Sequence, residues 1–208
     1  MKTGRLIIGT IFRPVKTFKA LVLEPRALSK GVRALLLIGV LYTLTVAGLA
    51  LAGASVFAPP FLSLPADEYY IFEVFFAIPV FLLGWMAAGG LAYLLSRGRG
   101  ESRGSYEGLL AALALAITVP SFVTWIPETV LTIVLLLGAN QGEVMEYTAR
   151  PGFWQMFVIA YQTAAGLWML VLAGAAVRAV RGVKRTRAAV VSLATILVFL
   201  CLMIVFIR

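Results

Sequence analysis

The sequence predicts an all-α fold: a polytopic integral membrane bundle of five transmembrane helices, with kinks in the second and third, plus an N-terminal interfacial amphipathic helix. Of the 208 residues, 62% are hydrophobic and only 13% are charged, and the mean hydropathy is +0.99. A soluble domain of this size cannot bury so much apolar surface, so lipid must be its solvent. The apolar residues fall into five stretches, each long enough to cross a hydrocarbon core of about 30 Å.

The chain opens with a basic segment, residues 1–30, which is expected to lie in the cytoplasm and the membrane interface. Pro14 suits the first turn of a helix that runs to about Leu23, because the missing N–H costs nothing there. The lysines of this helix lie away from its apolar side, which consists of Val15, Phe18, Leu21 and Val22. This pattern is typical of a helix that inserts its apolar side into the acyl chains. The alternative is a basic flank that only fixes the orientation.

Residues 31–208 are predicted to form the five-span domain. The spans are expected at about residues 32–58, 69–95, 108–139, 153–177 and 188–207. Pro79 lies in the second span and Pro120 and Pro127 lie in the third; each ring removes a backbone hydrogen bond and predicts a kink. The third span would be about 48 Å long as one straight helix. We therefore expect it to bend, to unwind between its prolines, or to turn along the outer interface.

Small residues recur at every fourth position in three of the spans. They are Gly84, Ala88 and Ala92 in the second, Ala112 and Ala116 in the third, and Ala160 and Ala164 in the fourth. Such spacing leaves a smooth side against which another helix can pack closely. It indicates a packed bundle but specifies no partner.

Lysine and arginine are concentrated on one side of the predicted membrane. If the N-terminus is cytoplasmic, segments 1–33, 97–107 and 178–187 are inside and hold 8, 3 and 5 of these residues, which is 16 of the chain's 18. Cytoplasmic loops carry such an excess in membrane proteins. The expected location is the cell (inner) membrane, with the N-terminus inside and the C-terminus outside.

The residue types also exclude several classes of function. One cysteine, Cys201, and no histidine rule out an internal disulfide and the usual zinc, haem and Cys/His catalytic sites. No phosphate-binding loop motif or catalytic triad is present. We therefore expect no enzyme, cofactor or metal. Nucleic acid is not an expected partner either, because the basic residues sit beside spans, where they meet anionic lipid.

Two carboxylates within the predicted spans are candidates for an intramembrane acidic site. Glu73 lies about one turn into the second span, and Glu128 follows Pro127 in the third. Ionisable groups inside a bilayer are costly and are functional candidates for that reason. If they converge, they could bind a cation, a proton or an amine headgroup. Alternatively, Glu73 is simply interfacial, and Glu128 lies at the N-terminus of a restarted helix, where the dipole favours a carboxylate.

The cytoplasmic connections supply a second candidate site, for anionic lipid or an acidic partner surface. Its members are Arg97, Arg99, Arg103, Arg181, Lys184, Arg185 and Arg187. The nearby glycines would let backbone amides approach an anion. Orientation of the protein explains the same residues equally well.

Several motifs resemble those of a known family. A basic N-terminus, IFRPVKTFKAL, precedes a glycine-bearing loop, GRGESRGSYEGLLAALALAITVP, and a basic linker, VRGVKRTRAAV. Tyr106, Glu107 and Pro120 are the most telling residues. The chain resembles the Yip domain family of five-span membrane proteins, and its compact prokaryotic members in particular.

The resemblance bears on function as well as on fold. Eukaryotic members of the family are implicated in vesicle traffic through small GTPases of the Rab type. This chain lacks their long polar N-terminal region, which argues against a GTPase-binding role. Some prokaryotic members are linked to transporter complexes.

The favoured hypothesis is a non-catalytic scaffold or accessory subunit that associates with other membrane proteins, such as a transporter complex. The alternative is a small transporter or lipid-handling protein that uses Glu73 or Glu128. Expected partners are lipids, including anionic headgroups on the cytoplasmic side, and other membrane proteins or further copies of the chain.

Overall fold

A computed structural model describes residues 3–56, 61–97 and 104–207, and every regular element within these ranges is an α-helix. The helices are α1 Thr3–Phe12, α2 Pro14–Val22, α3 Ala27–Leu51, α4 Tyr69–Ser96, α5 Tyr106–Leu136, α6 Gln141–Ala149, α7 Phe153–Arg181 and α8 Arg185–Phe206. Helices α3, α4, α5, α7 and α8 are long and apolar enough to cross a membrane. The predicted all-α bundle of five spans is confirmed.

The two ends of the bundle differ in charge. We call the end with the α4–α5 and α7–α8 connections the basic end, and the other the opposite end. At the basic end, Arg187 of α8 donates hydrogen bonds to the carbonyls of Leu95 and Arg97, at 2.9 Å each. At the opposite end, Tyr69 of α4 donates to the carbonyl of Phe206 in α8, at 3.1 Å. Helices α4 and α8 are therefore antiparallel neighbours along their whole length.

Helix α5 is the centre of the bundle, and every residue from 108 to 121 is buried. Ser105 caps its start by accepting a hydrogen bond from the Gly108 amide at 3.0 Å, which satisfies one of the free N–H groups of the first turn. Helix α3 approaches α5 closely at Gly31. A Cβ atom at this glycine would lie 2.8 Å from both the Cα and the carbonyl oxygen of Ala111. Only glycine fits this crossing without moving a backbone.

The predicted small-residue faces of α4 and α5 are used inside the bundle. Ala88, Ala92, Ala112 and Ala116 are all fully buried. A Cβ atom at Gly84 would come within 3.0 to 3.1 Å of Met203 and Phe199 of α8. Ala160 and Ala164 of α7, in contrast, are exposed. The third small-residue face is therefore left uncovered.

The third span does not unwind between its prolines. Pro120 and Pro127 both lie inside the continuous helix α5, as Pro79 lies inside α4. Pro127 has no N–H to bond the carbonyl of Val123 one turn earlier, and Tyr161 of α7 donates to that carbonyl instead, at 2.7 Å. Helical structure survives the proline because a neighbouring helix supplies the missing donor.

The predicted third span, 108–139, is one helix, α5, which ends at Leu136, and the chain then turns at Gly138, where φ is +94°. A separate short helix, α6, follows. Gln141 at its start exchanges two hydrogen bonds with the backbone of Ser55, at 2.6 and 2.9 Å. This pairing ties α6 to the end of α3.

The N-terminal segment forms two helices that meet at Arg13, and Pro14 begins the second as predicted. Phe18 and Leu21 are fully buried, and α2 packs against α5 and α7. The apolar side that was expected to enter the acyl chains therefore faces protein for the most part. The apolar surface that remains open is mainly on α1, where Ile8 and Phe12 are 59% and 77% exposed.

The crossing at Gly31 gives a stability prediction. Gly31→Ala should lower the free energy of unfolding in detergent by about 1–3 kcal/mol, because the added methyl group overpacks the contact with α5. Gly90→Ala is the matched control, since a Cβ atom there meets nothing within 4 Å. It should leave stability unchanged or raise it by about 0.5–1 kcal/mol through helix propensity. Equal effects of the two substitutions would contradict the α3–α5 packing described above.

Candidate functional site

The first predicted carboxylate, Glu73, lies inside the bundle and is not exposed at the interface. Its side chain is fully buried, and the Tyr42 hydroxyl of α3 donates a hydrogen bond to its Oε1 at 2.8 Å. Tyr42 itself is 6% exposed and packs against the ring of Phe81, with a centroid separation of 5.7 Å. Glu73 is thus held between α3 and α4 by a specific donor.

The second predicted carboxylate, Glu128, is half-buried on α5. The helix is continuous through Pro127, so the interpretation of Glu128 as the start of a restarted helix is wrong. Among the described residues, none donates a hydrogen bond to the Glu128 carboxylate or forms an ion pair with it. This carboxylate faces open space and no protein partner.

That open space consists of two cavities, of about 390 and 170 Å³, and Glu128 and Tyr42 line both. Because Tyr42 also holds Glu73, the structure brings both predicted carboxylates to one tyrosine. Tyr70 of α4 lines the smaller cavity as well. The result is a cluster of two acids and two phenols shared by α3, α4 and α5.

A second set of polar contacts, which the sequence did not reveal, holds α3 against α5 beside this cluster. The indole N–H of Trp125 donates to the Thr45 hydroxyl at 2.9 Å, and the hydroxyls of Thr45 and Thr129 lie 3.1 Å apart. The only sequence signal for these residues is that they are polar or amphipathic side chains within apolar spans. Interhelical hydrogen bonds of this kind help membrane helices to associate.

At the basic end, Arg181 is a structural residue. It is 2% exposed, its Nε donates to the Ser96 hydroxyl at 3.1 Å, and a terminal nitrogen donates to the carbonyl of Gly104. Its guanidinium also lies over the ring of Tyr93, 4.7 Å from the centroid. A contact with a lipid headgroup does not fit this buried position.

The other basic candidates that the structure describes divide into two groups. Arg187 donates to the last carbonyls of α4, where a cation also complements the helix dipole. Arg97, Lys184 and Arg185 are exposed, and they remain candidates for anionic lipid. Arg99 and Arg103 lie outside the described residues.

One acid at this end forms an ion pair. Glu24, in the turn before α3, pairs with Lys30. The ammonium group lowers the pKa of the Glu24 carboxyl to about 2.

Within the part of the chain that the structure describes, no group of three or more His, Cys, Asp or Glu could hold a metal ion.

The family model of the Yip1 domain matches residues 8–206. The chain belongs to the Yip1 domain family. The match covers all five candidate spans and confirms the resemblance drawn from the loop and linker motifs. No curated protein and no solved structure matches the chain. The Yip1 family is not known as enzymatic.

The buried pair of this Yip1-domain protein can be tested through stability. Tyr42→Phe removes the hydroxyl that reaches Glu73 and should lower the free energy of unfolding in detergent by about 1–3 kcal/mol, because a buried acceptor loses its donor. Tyr147→Phe, at a site that is 55% exposed on α6, is the matched control and should have little effect. A Tyr42→Phe protein as stable as the control would show that the pair contributes nothing.

Proposed function

We propose that this Yip1-domain protein is a non-catalytic scaffold or accessory subunit that binds another membrane protein through α7. One observation carries the proposal. Residues 153–164 of α7 are exposed on nearly all sides, and only Gln155 and Tyr161 are partly covered. The first part of this 29-residue helix is therefore covered only sparsely by its own chain.

The exposed surface has the composition of a helix-packing face. Ala160, Thr163 and Ala164 lie together on it, and all three are exposed. Membrane helices associate through small residues that let backbones approach and through hydroxyls that hydrogen-bond across the contact. The corresponding small residues of α4 and α5 already pack against helices of this chain. The face on α7 suits a helix from another chain.

Lipid alone explains this surface less well. Acyl chains can cover exposed leucine or phenylalanine, but they offer no partner to the side chain of Thr163, which is exposed. The aromatic pair Phe153 and Trp154 begins α7, and such residues favour the headgroup level. Thr163 then lies about 13 Å deeper, at 1.5 Å per residue, where a hydrogen-bonding partner is most valuable. On the family resemblance, we propose a transporter complex as the assembly.

Site-specific photocrosslinking tests the face directly. A photoreactive benzoylphenylalanine in place of Thr163 should form an adduct with one other membrane protein in cells, because this position would face the partner helix. The same amino acid in place of Ala87 is the matched control, since Ala87 is also exposed, on α4. The adduct should appear at 163 and be absent at 87, and Ala164→Leu should reduce its yield severalfold.

Three other outcomes would change the proposal. An adduct of twice the mass of this chain would identify a second copy as the occupant and remove the accessory role. Equal adducts at 163 and 87 would indicate chance collision in the membrane. No adduct at either position would contradict a protein partner for this face.

We further propose that the protein lies in the cell (inner) membrane with the N-terminus in the cytoplasm and the C-terminus outside. The support is the distribution of Lys and Arg, 16 of 18 in segments assigned to the cytoplasm, under the positive-inside rule. In this orientation the exposed side chains of Arg97, Lys184 and Arg185 would meet anionic headgroups.

Reporter fusions test this orientation. Alkaline phosphatase, which is active only outside the cytoplasm, should be active after residue 64 or after residue 207 and inactive after residue 104. Fusions of green fluorescent protein, which fluoresces in the cytoplasm, should give the reverse pattern and serve as the control. Activity of the phosphatase after residue 104 alone would invert the proposed topology.

A further inference from the structure

The larger cavity is open to the surrounding lipid in the half of the bundle near the opposite end. Its volume of about 390 Å³ falls within the range of about 300–1,000 Å³ that is usual for small-molecule sites. Gln162 of α7 and Ile204 of α8 both line it, and both are exposed. A molecule in the bilayer can therefore enter between α7 and α8.

One wall of the cavity is apolar and the other carries polar groups. Met169, Phe199 and Met203 form the buried apolar wall, with exposures of 5%, 2% and 9%. Ser121, Thr124 and Glu128 line the cavity from α5. Their spacing of three and four residues places them on one face of that helix. An amphiphile, with a chain and a polar head, matches this division.

The polar wall on α5 consists of acceptors, because the indole N–H of Trp125, which also lines the cavity, is already donated to Thr45. The side-chain amide of Gln162, on α7, can both donate and accept. The Ser121 hydroxyl donates its hydrogen to the Ile117 carbonyl at 2.9 Å, and the Thr124 hydroxyl donates to the Ser121 carbonyl at 3.1 Å. Both oxygens are left with lone pairs, and hydroxyl lone pairs can accept. Glu128 adds a carboxylate that has no hydrogen bond or ion pair from any described residue. The polar wall is therefore complementary to a ligand that donates several hydrogen bonds.

The negative charge of Glu128 restricts the chemical class of the ligand further. A carboxylate within a membrane span is costly unless a cation or several donors accompany it. Hydroxyl and carboxylate oxygens together would repel an anionic head, and a neutral alcohol would supply only one donor. A protonated primary amine supplies a positive charge and three donors, as a lysine ammonium does.

We propose that the cavity binds an amphiphile whose head carries a protonated primary amine. The ammonium lies against Glu128, Ser121 and Thr124, and the alkyl chain lies along Met169, Phe199 and Met203. The amine comes either from an aminolipid of the bilayer or from a free hydrophobic amine. This site is separate from the proposed partner face on α7 and does not depend on the scaffold function.

Binding of dodecylamine to the full chain tests the site. The protein is placed in nanodiscs of phosphatidylcholine, which has no primary amine, and radiolabelled dodecylamine is measured against empty nanodiscs. Binding should saturate, and unlabelled dodecylamine should compete at least tenfold better than dodecanol or dodecanoate. Glu128→Gln, which keeps the shape but removes the charge, should weaken binding at least tenfold. Glu143→Gln, at an exposed site on α6, is the matched control and should change binding less than twofold.

A second variant keeps the test decisive if Glu128→Gln fails to fold. Gly166 lines the cavity, and a Cβ atom there meets nothing within 4 Å. Gly166→Leu should therefore narrow the cavity without disturbing the bundle, and it too should weaken binding. Binding that does not saturate, or that both variants leave within twofold of the original, overturns the proposal.

Lipid retained during purification distinguishes the two sources of the amine. An aminophospholipid that co-purifies with the original protein, and is lost in Glu128→Gln, identifies a bilayer lipid. Saturable dodecylamine binding that depends on Glu128, without such a retained lipid, identifies a free hydrophobic amine. Either result supports the amine site.

Discussion

The hydrogen bond from Tyr161 to the Val123 carbonyl, 2.7 Å long, constrains the open half of this bundle. Pro127 cannot donate to that carbonyl, and in hydrocarbon an unsatisfied backbone group costs several kcal/mol. Helix α7 must therefore stay beside α5 at this level, although its preceding residues touch little else. The same contact keeps α5 helical through the proline. Glu128 therefore lies within a continuous helix, where its side chain lines the cavity, and not at the start of a new helix.

This constraint divides the molecule into a packed half and an open half. Near the basic end, residues 108–121 of α5 are buried, and Arg181 of α7 bonds both the last residue of α4, Ser96, and Gly104, just before α5. Near the opposite end, α7 is exposed and the cavity opens. Residues 160, 163 and 164 of α7 lie on the other side of the helix from residues 162, 166 and 169, at 3.6 residues per turn. A partner helix and a ligand could therefore occupy α7 together.

Much of this architecture could be predicted from the sequence, because lipid imposes long apolar spans and penalises charge within them. The five spans and the choice of Glu73 and Glu128 follow from that rule. Pairing between helices does not follow, since Tyr42 lies 31 residues from Glu73 and nothing local links them. In the sequence, Arg181 looks like one of the basic residues that orient the protein in the membrane. Only the structure shows that it is buried and hydrogen-bonded to Ser96 and Gly104.

The most direct test of the open half is the accessibility of α7 to oxygen dissolved in lipid, measured on the purified monomer in nanodiscs. Spin labels would be placed one at a time at each position from 156 to 175. Accessibility should be high from residue 156 to residue 164, apart from residue 161, which lies against α5. Beyond residue 164 it should follow a helical period of about 3.6 residues, because Ala165, Met169, Leu172 and Ala173 are buried there. A period of 3.6 residues along the whole stretch would show that α7 is packed throughout, and would contradict the account.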